Sequence, residues 1–250
     1  MKVLITSGGT KIKIDLVRSI TNMSRGTFGS QICDSFWHKL NANAHANNEI
    51  ADEVHQITFF MAKNSKMPTA EHMASEFFDN DTHLNRYIEY DTFDDYRSKL
   101  TDLLKKEKFD IIVLAAAVSD YGVEKMFNGK YRSRDDDMCI KLVKLPKVIT
   151  EVRKLAPDSM VCGFKLLVNS TDDELRAAMQ KQFDENNIDL CVGNDLRDIK
   201  NDNHRLTLKT SFSDEYEVFE KNALKDKKRT LADVVVDKCF DVLEAKNASK

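Results

Sequence analysis

No apolar run in this chain approaches the ~18 residues that a membrane-spanning helix needs, and a strand-like segment begins at Val3, directly after Met1-Lys2. Neither a spanning segment nor a signal peptide is expected, so the chain reads as cytoplasmic, with no membrane partner. It also lacks an excess of one charge: 38 Lys and Arg stand against 41 Asp and Glu, a formal net charge of −3, and the charges are scattered. That argues against nucleic acid as the main partner. The short basic run Lys225, Lys227, Lys228 and Arg229 precedes a helical pattern and reads as solvated surface. No CxxC occurs, and the six histidines form no pair at helical spacing. Five cysteines, Cys33, Cys139, Cys162, Cys191 and Cys239, are odd in number, widely spaced and mostly inside apolar runs. These features argue against a disulfide framework and a structural zinc site and suit thiols in a reducing compartment.

Glycine is scarce too, eight in 250 residues, yet four of the eight fall in the first 29. Val3-Leu4-Ile5 breaks into Thr6-Ser7-Gly8-Gly9-Thr10, and the chain then reaches Asn22-Met23-Ser24-Arg25-Gly26-Thr27-Phe28-Gly29. Glycine lets backbone N–H groups come close to an anion, and the N-terminus of a following helix adds about half a positive charge at the same place. A phosphate-binding loop is the reading that unites them, although Gly8 and Gly9 alone would suit a tight turn, and Gly26 and Gly29 alone would suit close helix packing. Asn22 and Ser24 alone would suit turn or capping positions. The spacing is not a GxGxxG fingerprint, and a Walker A motif is absent.

Short apolar runs at 3–5, 57–61, 111–117, 160–167 and 188–192 alternate with helical patterns. This predicts an α/β fold, Rossmann-like and doubly wound, with a mainly parallel sheet in a single unit over residues 1–250. The first helix should start near Gly26 or Thr27 and carry Ile32, Phe36 and Trp37, and a later one over 96–108 places Tyr96, Leu100, Leu103 and Leu104 on one face. Residues 41–50 are expected as a surface excursion and 121–144 as a flap or arm. Period-two alternation at 205–209 and 215–219 predicts a C-terminal hairpin, and 231–243 a closing helix with Val234, Val235, Cys239 and Val242 inward. In such sheets ligands bind beyond the carboxyl ends of the strands, where the strand order reverses. Four polar or glycine-bearing strand ends should meet there: Gly8-Gly9, Ser119-Asp120, Gly163-Phe164-Lys165 and Gly193-Asn194-Asp195.

These blocks resemble the phosphopantothenoylcysteine synthetases of coenzyme A biosynthesis. The resemblance rests on Thr6 to Thr10, Asp15 to Gly26, Ala115-Ala116-Ala117-Val118-Ser119-Asp120-Tyr121, Lys130-Tyr131-Arg132-Ser133, Leu145-Pro146-Lys147, Gly163-Phe164-Lys165-Leu166-Leu167-Val168 and Gly193-Asn194-Asp195-Leu196, in family order across most of the chain. The GFKLLV block and the lack of a fused flavin-binding decarboxylase resemble the stand-alone bacterial form. The resemblance implies a ligase that joins 4'-phosphopantothenate to L-cysteine through an acyl-nucleotidylate, using CTP, with ATP a close alternative, and Mg²⁺, and working as a homodimer with shared active sites. By similarity Gly8, Gly9, Ser24, Gly26, Gly29, Phe164 and Asn194 would line the nucleotide site. Ala116, Ala117 and Asp120 would contact substrate, and Asn22 would stabilise the acyl-nucleotidylate. Arg18 could grip the substrate phosphate or carboxylate with two prongs, and Lys130 matches the flap lysine, with Tyr131 in place of the usual Ile. Lys181 matches one of two lysines that help select CTP, and Glu185 stands where the second would fall. Asp135, Asp136 and Asp137 read as a solvated turn. Two rival readings are a nicotinamide-dependent reductase, which would need an acidic ribose partner near the second strand, where Glu53 is the nearby candidate, and a non-catalytic nucleotide sensor, which would need neither Asn22 nor Lys130.

Overall fold

The computed structural model describes residues 1–46, 55–69, 85–132, 138–200, 203–224 and 229–249. Along the chain run β1 (Lys2–Ser7), β2 (Lys11–Lys13), β3 (Ser19–Thr21), α1 (Thr27–Ala46), β4 (Gln56–Ala62), β5 (Arg86–Tyr90), α2 (Phe93–Lys106), β6 (Ile111–Leu114), β7 (Tyr121–Val123), β8 (Leu142–Lys144), α3 (Val148–Leu155), β9 (Met160–Leu167), α4 (Asp172–Asn186), β10 (Leu190–Asp195), α5 (Leu196–Lys200), β11 (Arg205–Thr210), β12 (Glu217–Glu220), α6 (Lys221–Leu224) and α7 (Leu231–Ala248).

Eight strands form one sheet in the order β12-β11-β10-β9-β6-β1-β4-β5. The six from β5 to β10 are parallel, and β11 and β12 close one edge as an antiparallel hairpin. The chain moves outward from β1 through β4 to β5, then crosses back to β6 on the other side of β1. Strand order therefore reverses between β1 and β6, which places the switch point beyond the carboxyl ends of these two neighbours.

Both faces of the sheet are covered, which is why β1 reads as a continuous apolar run rather than an alternating one. Val3 and Ile5 face α1 and α7, packing with Ile32, Phe36, Val235 and Cys239. Leu4 and Ile112 face the opposite layer with Tyr96, Leu100, Val152 and Met179 of α2, α3 and α4. Thr92, Thr171 and Thr230 cap α2, α4 and α7, each accepting from a backbone N–H three residues on.

At the opposite end of the sheet, just ahead of β10, Asp189 binds three partners. Its Oδ2 accepts from Arg153 Nη2 at 2.5 Å, from Val161 N at 2.8 Å and from Lys246 Nζ at 3.0 Å. Arg153, Asp189 and Lys246 are all nearly buried, so this triad clamps α3 and α7 to the sheet.

Several element boundaries differ from the sequence expectation. The run expected to continue to Ala117 leaves the sheet after Leu114, where the Ala116 N–H turns to Thr6 Oγ1 (3.2 Å) and the Ala117 N–H to the Gly8 carbonyl (2.8 Å). α1 persists through Ala46, into the segment expected as an excursion, because helix propagation needs only backbone bonding and no apolar period. The remainder of that segment, 47–50, lies outside the described residues. β5 was not anticipated, since as an edge strand its residues 86–89 are only partly buried and carry a weak apolar signal. The arm at 121–144 is a two-stranded ribbon where it leaves and rejoins the body, with Tyr121 opposite Lys144; Asp135, Asp136 and Asp137 fall outside the described residues. Among the described residues no helix is long and apolar enough to cross a membrane. Cys33, Cys162, Cys191 and Cys239 are buried and Cys139 is exposed, all as free thiols.

Candidate active site

The carboxyl ends of β10, β9, β6 and β1 stand side by side in the sheet, so the four strand ends picked out in the sequence do converge. At the first of them Gly8 has φ +87°, and at the entry to α1 Gly26 has φ +74°. A side chain at either position would be strained. Gly29 is required by proximity instead: a Cβ there would lie 2.4 Å from Ser7 Oγ. The first turn of α1 is thereby pressed onto the end of β1, and Ser7 Oγ donates to the Gly26 carbonyl at 3.1 Å. The Gly26 N–H points to Ser24 Oγ at 3.4 Å. α1 has no acidic residue in its first turn, whereas α2, α4 and α7 do. Its unpaired N–H groups and positive dipole end thus face the loop without internal compensation, which is the electrostatic environment an oxyanion needs.

Across the reversal point, Gly9 pairs with Ala117. Asn22, half-buried at the end of β3, donates from Nδ2 to the Ala117 carbonyl at 2.7 Å. A Cβ on Gly9 would sit 2.8 Å from the Asn22 carbonyl oxygen, so Gly9 makes room for Asn22. Beside them the Ser119 N–H donates to Thr10 Oγ1 at 3.0 Å, and the two hydroxyls are 3.0 Å apart. Gly8, Gly9, Asn22, Ser24, Gly26, Gly29, Ala116 and Ala117 therefore form one connected cluster.

The next two strand ends add an aromatic wall. The Phe164 ring meets Phe28 edge-on at 6.1 Å, and Phe28 meets His204 at 5.2 Å. Asn194 lies 3.5 Å through Nδ2 from His204 Nε2. Burial, with help from the Lys221 charge, holds the His204 pKa below its ordinary value. A neutral imidazole then accepts from the Asn194 carboxamide through Nε2. Neighbouring Asp195 fixes the turn out of β10: burial alone would raise its pKa, but N–H donors from Ser170, Arg197 and Asn169 and the Ser170 hydroxyl bring it down to about 2.

The remaining candidates are placed differently. Asp120, at the foot of the arm, is paired with Lys147 Nζ at 2.5 Å. Arg18 donates from Nε (3.0 Å) and Nη2 (2.7 Å) to Asp15 Oδ2, and Nη2 also reaches the Tyr131 carbonyl at 2.9 Å. Lys130 is exposed on the arm between Gly129 and Tyr131. Lys181 projects into solvent from α4 and pairs with Glu185 at 3.6 Å; among the described residues nothing joins it to the Phe164–Asn194 wall. Phe28, His204 and Lys147 were not assigned roles from the sequence. Phe28 stands inside the glycine-rich stretch and Lys147 inside the Leu145-Pro146-Lys147 block, but His204 is a lone histidine just ahead of the antiparallel strand β11 and has no local signal.

Among the described residues no three His, Cys, Asp or Glu gather as a metal site. Mg²⁺ usually takes only one or two carboxylates and completes its shell with ligand phosphates and water, so a site with Asp120 as its acidic residue fits that habit. The acid that a dinucleotide's ribose would need is missing just after β4, where Lys63-Asn64-Ser65 follows Ala62; Glu53 lies outside the described residues.

The chain is 30% identical over 207 residues to the coenzyme A biosynthesis bifunctional protein CoaBC of Thermococcus kodakarensis, covering 83% of this chain and 44% of that protein. It is 31% identical over 195 residues to the protein of the same name from Methanocaldococcus jannaschii, covering 78% and 40%. It thus spans less than half the length of these curated relatives. Among solved structures, the DNA/pantothenate metabolism flavoprotein from Streptococcus pneumoniae superposes with a TM-score of 0.73 at 24% identity, over 98% of this chain and 99% of that one. A Cab2 H337A mutant in complex with phosphopantothenate-cysteine superposes with a TM-score of 0.77 at 19% identity, over 99% and 88%. These two likenesses show a shared fold. The model of the DNA/pantothenate metabolism flavoprotein C-terminal domain matches residues 1–108 and 87–242, and the chain belongs to that family.

Proposed function

We propose that this protein is a phosphopantothenate–cysteine ligase of coenzyme A biosynthesis. The observation that carries the reading is the junction of an uncompensated helix N-terminus with the Asn22–Ala117 contact at the point where strand order reverses. The Cab2 relative bound to phosphopantothenate-cysteine supports it.

In this reading the phosphopantothenate carboxylate attacks the α-phosphorus of the nucleotide and pyrophosphate leaves. The amine of cysteine then attacks the acyl carbon, the amide forms, and the nucleoside monophosphate leaves. A free carboxylate resists attack by an amine, and the mixed anhydride supplies the leaving group. Gly8, Gly26 and the first turn of α1 hold the phosphates through backbone N–H groups. Asn22 has one Nδ2 hydrogen on Ala117 and keeps the other for the anhydride, a neutral donor that adds no negative charge. Phe164 and Phe28 offer an aromatic wall to the base, with Asn194 beside it. Asp120, freed from Lys147, faces substrate or a phosphate-borne Mg²⁺, which would neutralise the developing pyrophosphate charge. Lys130 reaches over from the arm.

CTP is placed ahead of ATP, with the Lys181–Glu185 pair weakening the cytidine preference. The exposed apolar side chains of Leu16, Val17, Met23, Phe127 and Tyr131 support a homodimer formed through the arm, with the β11–β12 hairpin as a second candidate contact. The test combines the protein with Mg²⁺, phosphopantothenate, cysteine and either nucleotide, and follows pyrophosphate. Release that requires phosphopantothenate and becomes multiple-turnover only with cysteine supports the ligase, faster release with ATP reverses the nucleotide order, and no release with either nucleotide overturns it.

A further inference from the structure

The Asp15 carboxylate has no exposed side-chain surface, yet it lies in the short turn that joins β2 to β3 rather than in the core. It accepts from Val17 N (2.8 Å), Arg18 N (2.7 Å), and Arg18 Nε and Nη2 (3.0 and 2.7 Å). Its remaining donor comes from 116 residues away, the Tyr131 N–H at 3.2 Å. The Tyr131 carbonyl is taken by Arg18 Nη2, so both backbone polar groups of Tyr131 end on the Asp15–Arg18 pair. Two further backbone bonds run between the same segments, Phe127 N to the Ile14 carbonyl and Leu16 N to the Gly129 carbonyl, each at 3.0 Å. The Tyr131 ring stacks on Phe127 with centroids 4.5 Å apart, and the Arg18 guanidinium carbon lies 6.0 Å from the Tyr131 ring centre.

Residues 127–131 are thus seated on the β2–β3 turn, and Lys130 is held between two fixed neighbours, Gly129 and Tyr131. The same turn feeds directly through β3 into Asn22. We propose that Asp15 is a positioning residue: with Arg18 it latches the arm to the β2–β3 turn, so that Lys130 and Asn22 are presented together to one reacting phosphate. A charged latch suits this task, because a carboxylate bonded by five donors defines direction as well as distance. What Lys130 does once presented rests on the ligase reading; the latch itself rests on the bonds just described.

The test compares the unmodified protein with Asp15→Asn, Arg18→Gln, Lys130→Ala and the Asp15→Asn/Lys130→Ala pair, by amide hydrogen exchange over 127–131 and by steady-state kinetics. Exchange in the arm should rise about tenfold in Asp15→Asn while the central strands stay protected. The turnover number should fall about tenfold with the nucleotide KM within about twofold, and the double variant should be no slower than Lys130→Ala alone. Arm exchange at the parent level, an unchanged turnover number, or fully additive losses in the double variant would each overturn the proposal. Should Asp15→Asn fail to fold, Arg18→Gln, which leaves the carboxylate and its backbone donors in place, decides by the same readouts. A parent protein that releases no pyrophosphate sinks the ligase reading, and the exchange measurement then still decides the latch.

Discussion

Asn22 Nδ2 and the Ala117 carbonyl, 95 residues apart, meet at 2.7 Å. This bond joins the end of β3 to the segment beyond β6 and fixes the face that the carboxamide presents. Asn22→Asp replaces the donor with a carboxylate that faces a carbonyl oxygen and, in the ligase reading, an anionic anhydride. The expected result is loss of the folded-state bond at a cost of about 1–3 kcal/mol, together with a ligation rate at least about a hundredfold lower. Urea unfolding and pyrophosphate release measure the two separately.

Gly29→Ala brings a methyl group to 2.4 Å from Ser7 Oγ, and the first turn of α1 must move off β1. The cost should be about 1–3 kcal/mol of stability. Nucleotide-induced thermal stabilisation should largely disappear, because the cradle itself is displaced; retention of the full shift would show that phosphate does not sit there.

Burial sets the His204 pKa below the ordinary 6.5. The unfolded chain then binds the proton more readily than the folded one, so stability from this group is complete above about pH 6.5 and is lost as pH falls below it. Replacing His204 with Gln should flatten stability between pH 7 and about pH 5 while retaining a partner for Asn194. Urea midpoints across that range check the slope.

Removing Asp189 takes the carboxylate away from Arg153 and Lys246, two nearly buried cations at the end of the sheet opposite Gly8 and Gly26. Asp189→Ala should cost about 3–5 kcal/mol of stability without changing the nucleotide KM of the molecules that remain folded. A KM change would show that the clamp reaches the site.

How much of this was legible beforehand varies with the kind of signal. β9 was readable to its end residues, because the apolar run from Met160 to Cys162 resumes at Leu166 and Leu167 beyond Lys165. The need for glycine at positions 8 and 26 was readable, because Gly8 and Gly26 adopt backbone angles that other residues resist. β5, an edge strand, left too little apolar pattern to be found. His204 was missed for a different reason: its role comes from the antiparallel return of β11 beside β10, a long-range pairing that no local spacing encodes. Arg18 was expected to grip a substrate phosphate or carboxylate, but both prongs close on Asp15, three residues upstream and shared with the arm, an acceptor that the sequence did not show.

The central place of β1 has a consequence for how the molecule is made. One of its partners, β4, begins at Gln56 and the other, β6, only at Ile111. On a ribosome the first strand must therefore wait, one edge bare, until more than a hundred residues have been added. That interval exposes an apolar ribbon to other nascent chains, and the vulnerable moment in the life of this protein falls during synthesis rather than after it.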